Sequence, residues 1–135
     1  MQISGHYPAF SKKTLLVLTN NELAKCYTLV DREIDEAGVI TTPDNAPAAT
    51  PASPADLDAA KQHRRQELYT ALSDDLLSRI DRDGVQDVIL CAPEANKNDL
   101  TAAMDARVMK RVKTVVPKNL ASMELGQVVR ILFES

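Results

Sequence analysis

Gln86-Asp87-Val88-Ile89-Leu90-Cys91-Ala92-Pro93 decides the fold. From Val88 the run is apolar without a break, carries β-branched residues, and is closed by Pro93. A strand buried on one face alternates apolar with polar residues, so an unbroken run predicts a strand covered on both faces. Gly84, just upstream, ends a long helical pattern, and a second helical pattern begins just downstream. Helix, buried strand, helix is the core of an α/β layer.

Upstream of that strand, Leu68, Leu72, Leu76 and Ile80 recur every fourth residue, with Tyr69, Ala71 and Leu77 widening the stripe. The spacing predicts a helix from Asp56, as N-cap after Pro54, to Gly84 as the C-terminal glycine. Before it, residues 41–55 interleave Pro43, Pro47, Pro51 and Pro54 with Ala, Thr, Ser and Asn. Such proline spacing forbids a regular hydrogen-bond ladder and predicts a flexible loop. Earlier still, three strands are expected: an apolar run at 15–18, a loosely alternating one at 23–30 and a weaker one at 33–40. Thr19-Asn20-Asn21-Glu22 and Asp31-Arg32 form the turns between them. Asparagine tolerates left-handed backbone angles, which is the reason for expecting a tight turn at Asn20-Asn21. Residues 1–11 look like an irregular arm.

Downstream, Leu100, Met104 and Val108 predict one helix capped by Asn98 or Asp99. A short strand at 113–116 stops at Pro117. A last helix is capped by Ser122 and carries Leu125, Val128, Val129 and Leu132 at i, i+3, i+4, i+7. The expected order is β-β-β-α-β-α-β-α. It gives a mixed sheet with an antiparallel meander at one side and parallel crossovers at the other.

The bulk numbers bound the function. A chain of 135 residues is expected to be one domain. Its net charge of −3, from 16 basic and 19 acidic residues, argues against coating nucleic acid by overall charge but leaves room for a local basic face. Two Phe, three Tyr and no Trp leave few platforms for base stacking. Cys26 and Cys91 fall in apolar runs and read as buried free thiols of a cytoplasmic protein. No apolar stretch is long enough to cross a membrane and none reads as an export signal, so no membrane partner is expected.

Three stretches carry a resemblance. They are the hairpin 14–27 (Thr-Leu-Leu-Val-Leu-Thr-Asn-Asn-Glu-Leu-Ala-Lys-Cys-Tyr), the strand 85–93, and Val115-Val116-Pro117-Lys118-Asn119-Leu120. In order and spacing they resemble the bacterial host-attachment protein family, which is related to the central domain of archaeal and eukaryotic peptide-chain release factors. The resemblance covers about residues 13–133. It implies an RNase H-like three-layer α/β domain and a link to the ribosome or to structured RNA. The Gly-Gly-Gln signature of release factors is absent, since Gly5, Gly38, Gly84 and Gly126 stand alone. Asn20 occupies a turn position where that family often carries an acid. No catalytic residue is therefore carried over.

The residues themselves offer little catalytic chemistry. A two-metal nuclease needs converging carboxylates, whereas residues 14–19 contain no acid and Asp87 stands at the N-terminal end of its strand. Asp74, Asp75, Asp81 and Asp83 read as a solvated helix face. His6 and His63 have no metal-ligand spacing with a cysteine, and Ser73 and Ser78 have no nearby histidine. No enzyme activity, metal or cofactor is expected. Two basic clusters remain: Lys61, Arg64 and Arg65, and Arg107, Lys110, Arg111 and Lys113, the second extended by Lys118. Clustered Lys and Arg on one surface suit phosphates; the plainer reading is a solvated helix face balanced by the acids. The second cluster is the candidate nucleic-acid-binding site. The main expectation is a binding domain for RNA or the ribosome. The alternative is a protein-interaction or homo-oligomerising module that uses the hairpin edge or the last helix.

Overall fold

The computed structural model describes residues 9–41 and 54–134, with side chains for all of these except 54–61 and 134. Strand β1 spans Phe10–Thr19, β2 Leu23–Asp31 and β3 Glu33–Thr41; helix α1 spans Pro54–Asp83. Strand β4 spans Asp87–Cys91, helices α2 and α3 span Lys97–Ala103 and Ala106–Met109, β5 spans Val112–Val116, and α4 spans Leu125–Glu134. Residues 1–8 of the expected arm and 42–53 of the expected loop lie outside the described residues. Phe10 and Ser11, expected in the arm, belong to β1; Pro54 and Ala55, expected in the loop, belong to α1.

Five strands form one sheet in the order β3-β2-β1-β4-β5. β1, β4 and β5 are parallel to one another, and β2 runs antiparallel to both its neighbours. β1 and β4 therefore sit in the interior of the sheet, which accounts for their unbroken apolar runs. Leu15, Val17, Val88 and Leu90 face one side, where Leu68, Leu72 and Leu76 of α1, Leu100 of α2 and Val108 of α3 cover them. Leu16, Leu18, Ile89 and Cys91 face the other, under Val128 and Val129 of α4 with Leu120 and Ala121. This is the three-layer, RNase H-like order expected from the sequence. Leu15, Leu16 and Leu90 are wholly buried, and truncating any of them to alanine is expected to cost about 2–5 kcal/mol.

Several local readings are corrected. The turn after β1 forms, but not through a left-handed asparagine; among the described non-glycine residues only Asp31 has a positive φ, 53°. Instead Asn20 Oδ1 accepts from the backbone N–H of Glu22 at 2.8 Å and of Leu23 at 2.9 Å. This is the side-chain turn mimicry that Asn and Asp perform. In β3 the parity changes partway: Cys26 pairs with Gly38 but Tyr27 with Glu36, leaving Ala37 bulged. Ile34 and Ile40, equivalent in strict alternation, consequently lie on opposite faces of the sheet.

The helix expected after β4 is two helices. Lys97, not Asn98 or Asp99, begins α2, preceded by a 3-10 turn at Glu94–Asn96. Met104 is extended (ψ 137°), and Asp105 caps α3 by accepting from the Arg107 N–H. Ser73 Oγ, on α1, accepts from the Asp105 N–H at 2.8 Å and so holds the break. α4 begins at Leu125, with the Glu124 carbonyl accepting from the Val128 N–H at 3.0 Å; Ser122 lies before it and does not cap it.

Cys26 and Cys91 are free and buried, in the cores on opposite faces of the sheet. Burial pushes their thiols up to about 11 and about 12.

Candidate nucleic-acid interface

In parallel β1, β4 and β5, all three strands begin at the same end of the sheet, and the register shows how close their starts lie. β4 is entered between two basic residues. On one side the Gln86 N–H donates to the Lys13 carbonyl at 2.9 Å; on the other the Val88 N–H donates to the Arg111 carbonyl at 2.8 Å. The backbones of Lys13 and Arg111 are thus separated by two strand spacings, roughly 10 Å. Lys12 precedes Lys13 in β1, and the Lys110-Arg111 turn feeds β5 from α3.

Lys113 has a distinct position. Val88 pairs with Val112 and Ile89 with Thr114, so Lys113 is the extra residue of a bulge in β5. Bulges re-aim the side chains they carry. Lys113 lines a cleft of about 510 Å³ together with Lys12, Thr14, Asp87, Phe10 and Phe133. The two phenylalanines, half-buried, meet edge to face with ring centroids 5.5 Å apart.

The cations divide by their partners. Arg65 pairs with Asp99 at 2.9 Å, Arg79 with Asp75 at 2.6 Å and Arg107 with Asp105 at 3.1 Å. Arg107 serves its own helix: its side chain and backbone hydrogen bonds hold the Asp105 carboxyl below the usual carboxylate range. Lys13 Nζ donates to the Asp83 carbonyl at 2.9 Å, tying the start of β1 to the end of α1. Among the described residues, Lys12, Lys110, Arg111 and Lys113 have no carboxylate within salt-bridge distance, and all four are exposed. An exposed cation with no internal partner is available to a phosphate.

The expected cluster is therefore redrawn. Lys110, Arg111 and Lys113 stay together. Arg107 is nearby but engaged. Lys118 is removed, because it follows Val116 at the far end of β5, roughly 17 Å along a five-residue strand. Lys12 is added; Lys13 lies beside it but is engaged by the Asp83 carbonyl. The signal for Lys12 was in the sequence, since a parallel β1-β4-β5 order brings the starts of β1 and β5 to one edge, but it depends on strand order and not on proximity along the chain. The other basic cluster does not gather: Arg65 is paired, Arg64 is exposed on α1, and the side chain of Lys61 lies outside the described residues. His63 pairs with Glu67, one helical turn on, at 2.7 Å.

The opposite end of the sheet, where α/β proteins commonly place their ligands, carries an amide pair with Glu22, Glu94 and Lys118 in the loops around it. Asn96, buried, donates from Nδ2 to Oδ1 of Asn21 at 2.6 Å and joins the loops after β1 and β4. Asp87 sits at the basic edge, and among the described residues no three His, Cys, Asp or Glu side chains converge in a metal-binding group. No described helix is long and apolar enough to cross a membrane.

The two outer strands of the sheet carry opposite charge. β3 exposes Glu33, Asp35 and Glu36, whereas β5 and the turn before it expose Lys110, Arg111 and Lys113.

No protein-family model and no curated protein matches the chain, so the host-attachment resemblance stands on its quoted motifs alone. Among solved structures, the fold is similar to that of S. cerevisiae Dom34, a translation termination-like factor involved in RNA quality control pathways and interacting with Hbs1. The match has a TM-score of 0.54 at 12% sequence identity and covers 90% of this chain and 32% of the Dom34 chain. The chain spans about a third of that protein's length, and the likeness is one of release-factor-like fold.

Proposed function

We propose that this chain is a non-enzymatic RNA-binding domain, working in translation in the cytoplasm, and that it holds RNA along the edge where β1 and β5 begin. The observation that carries the reading is the convergence of Lys12, Lys110, Arg111 and Lys113, none with a carboxylate partner among the described residues, on one end of the sheet. Phosphate binding by such cations is sequence-independent and weakens steeply with salt. The acidic β3 edge would repel a phosphate backbone and so orients the domain with β5 toward it. The Dom34-like fold makes the ribosome the first RNA to try.

Co-sedimentation with ribosomes from lysate, at low and high salt, tests it. The wild-type chain is expected in the ribosomal pellet at low salt and in the supernatant at high salt. Lys110→Glu, Arg111→Glu and Lys113→Glu together are expected to release it at both. Wild-type protein in the supernatant at low salt, with purified RNA also unbound, would reject the reading.

A second reading has its own observation. β3 is an edge strand, and its Val39 is 59% exposed. An edge strand is a template for strand pairing, which fits a homo-oligomer or a protein partner. The last helix does not support that reading, because its apolar stripe is packed on the sheet. A mass measurement across concentration distinguishes the two: an oligomer dissociated by Val39→Lys favours the edge.

A further inference from the structure

We infer that the cleft at the start of β1 takes one unstacked nucleotide of single-stranded RNA and prefers a base bearing an exocyclic amino group. The inference rests on the RNA-binding reading above and deepens it to a single subsite. The chain has only two phenylalanines. They come from opposite ends of the sequence, Phe10 from β1 and Phe133 from the last turn of α4, and both line this cleft. Both pack against the core and remain partly open to solvent. In the same cleft stand two ammonium groups, Lys12 and Lys113, and one half-buried carboxylate, Asp87.

Those three chemistries match the face of a base, its hydrogen-bonding edge and the phosphate of one nucleotide. An aromatic ring beside a cation is the combination by which single strands are held: the base stacks and the phosphate pairs. A duplex cannot use such a ring, because its bases are already stacked. A carboxylate can only accept hydrogen bonds at neutral pH, so it favours a base edge that donates from an amino group, as cytosine does from N4. Uracil offers only its N3–H, which lies between two carbonyl oxygens that a carboxylate would repel. The cleft volume, about 510 Å³, lies within the range of small-molecule sites.

The test uses the full chain with two probes of equal charge, hexacytidylate and hexauridylate, titrated at low salt and followed by NMR of the phenylalanine rings. Hexacytidylate is expected to bind more tightly and to shift both rings. Phe133→Leu, which keeps the packing but removes the ring, is expected to weaken it at least about fivefold. Asp87→Asn is expected to bring the two probes together. Salt-dependent ribosome co-sedimentation of the wild type, which Lys110 and Arg111 outside the cleft would carry, reports the basic edge separately from the cleft. Equal binding of both probes with unmoved rings, or no oligonucleotide binding while ribosomes still bind in a salt-dependent way, would overturn the cleft and leave the basic edge standing. Loss of oligonucleotide and ribosome binding alike, in the wild type, would overturn both.

Discussion

Arg79 Nη2, on α1, donates a 2.8 Å hydrogen bond to the carbonyl of Ala37, the bulged residue of β3. The same guanidinium is held at Nε by Asp75 at 2.6 Å. A helix thus fastens the irregular point of an edge strand that is otherwise held by its ladder with β2 and by Ile34 and Ile40. Gly38 follows with φ 131°, and a Cβ there would come within 3.3 Å of Arg79 Nη2. Arg79→Ala is expected to lower stability by about 1–3 kcal/mol, because a carbonyl and a carboxylate lose a charged partner. Gly38→Ala is expected to be destabilising through backbone strain and crowding. The double variant should fall short of the sum, since both changes act on one contact. Urea denaturation of the four proteins checks this.

The turn after β1 depends on an acceptor at position 20. Asn20→Ala removes the partner of two backbone amides and is expected to cost about 1 kcal/mol. Asn20→Asp supplies the same acceptor and is expected to be tolerated. The acid that the resembling family often carries at this place is a conservative exchange by this geometry. Thermal melts of the two variants distinguish a side-chain acceptor from a requirement for asparagine itself.

Ser73→Ala tests the break between α2 and α3. The Asp105 N–H would lose its acceptor, and Ser73 is 5% exposed, so water replaces the hydroxyl poorly. A loss of about 1–3 kcal/mol is expected. Amide exchange should quicken first at Asp105. A variant as stable as the wild type would mean that the break is held by packing alone.

The two thiols set a pH dependence. Their folded values, about 11 and about 12, stand above the ordinary thiol value of 9.0 because burial disfavours the thiolate. A raised folded value contributes stability that is complete below about pH 9 and is lost as pH rises toward 11 and 12. Unfolding free energy is expected to fall over that window by up to about 1.4 kcal/mol per pH unit for each thiol. Cys26→Ala with Cys91→Ala should flatten the slope. At pH 8 the native thiols should resist a disulfide reagent until the chain is unfolded.

What the sequence made legible follows from how local each signal is. The runs at 15–18 and 88–92 report burial on both faces directly, and β1 and β4 are the interior strands. The bulge at Ala37 was hidden, because one inserted residue flips the face without changing composition. The break at Met104-Asp105 was hidden for a related reason. Leu100, Met104 and Val108 keep a helical spacing and are all buried, while the cause of the break, Ser73, lies on another helix. The basic edge was half legible. Lys110, Arg111 and Lys113 are close in sequence, but Lys12 joins them and Lys118 leaves them only once strand order and direction are known.

That exchange of one lysine for another gives the most direct test. RNA affinity is measured across a salt series for the wild type, Lys12→Glu and Lys118→Glu. Both variants change net charge equally, so a nonspecific effect of charge would move them together. Lys12→Glu is expected to weaken binding and to lower the slope of log K against log salt by about 1, with Lys118→Glu close to the wild type. Equal losses in the two, or a greater loss in Lys118→Glu, would contradict the assignment of RNA to the edge where β1 and β5 begin.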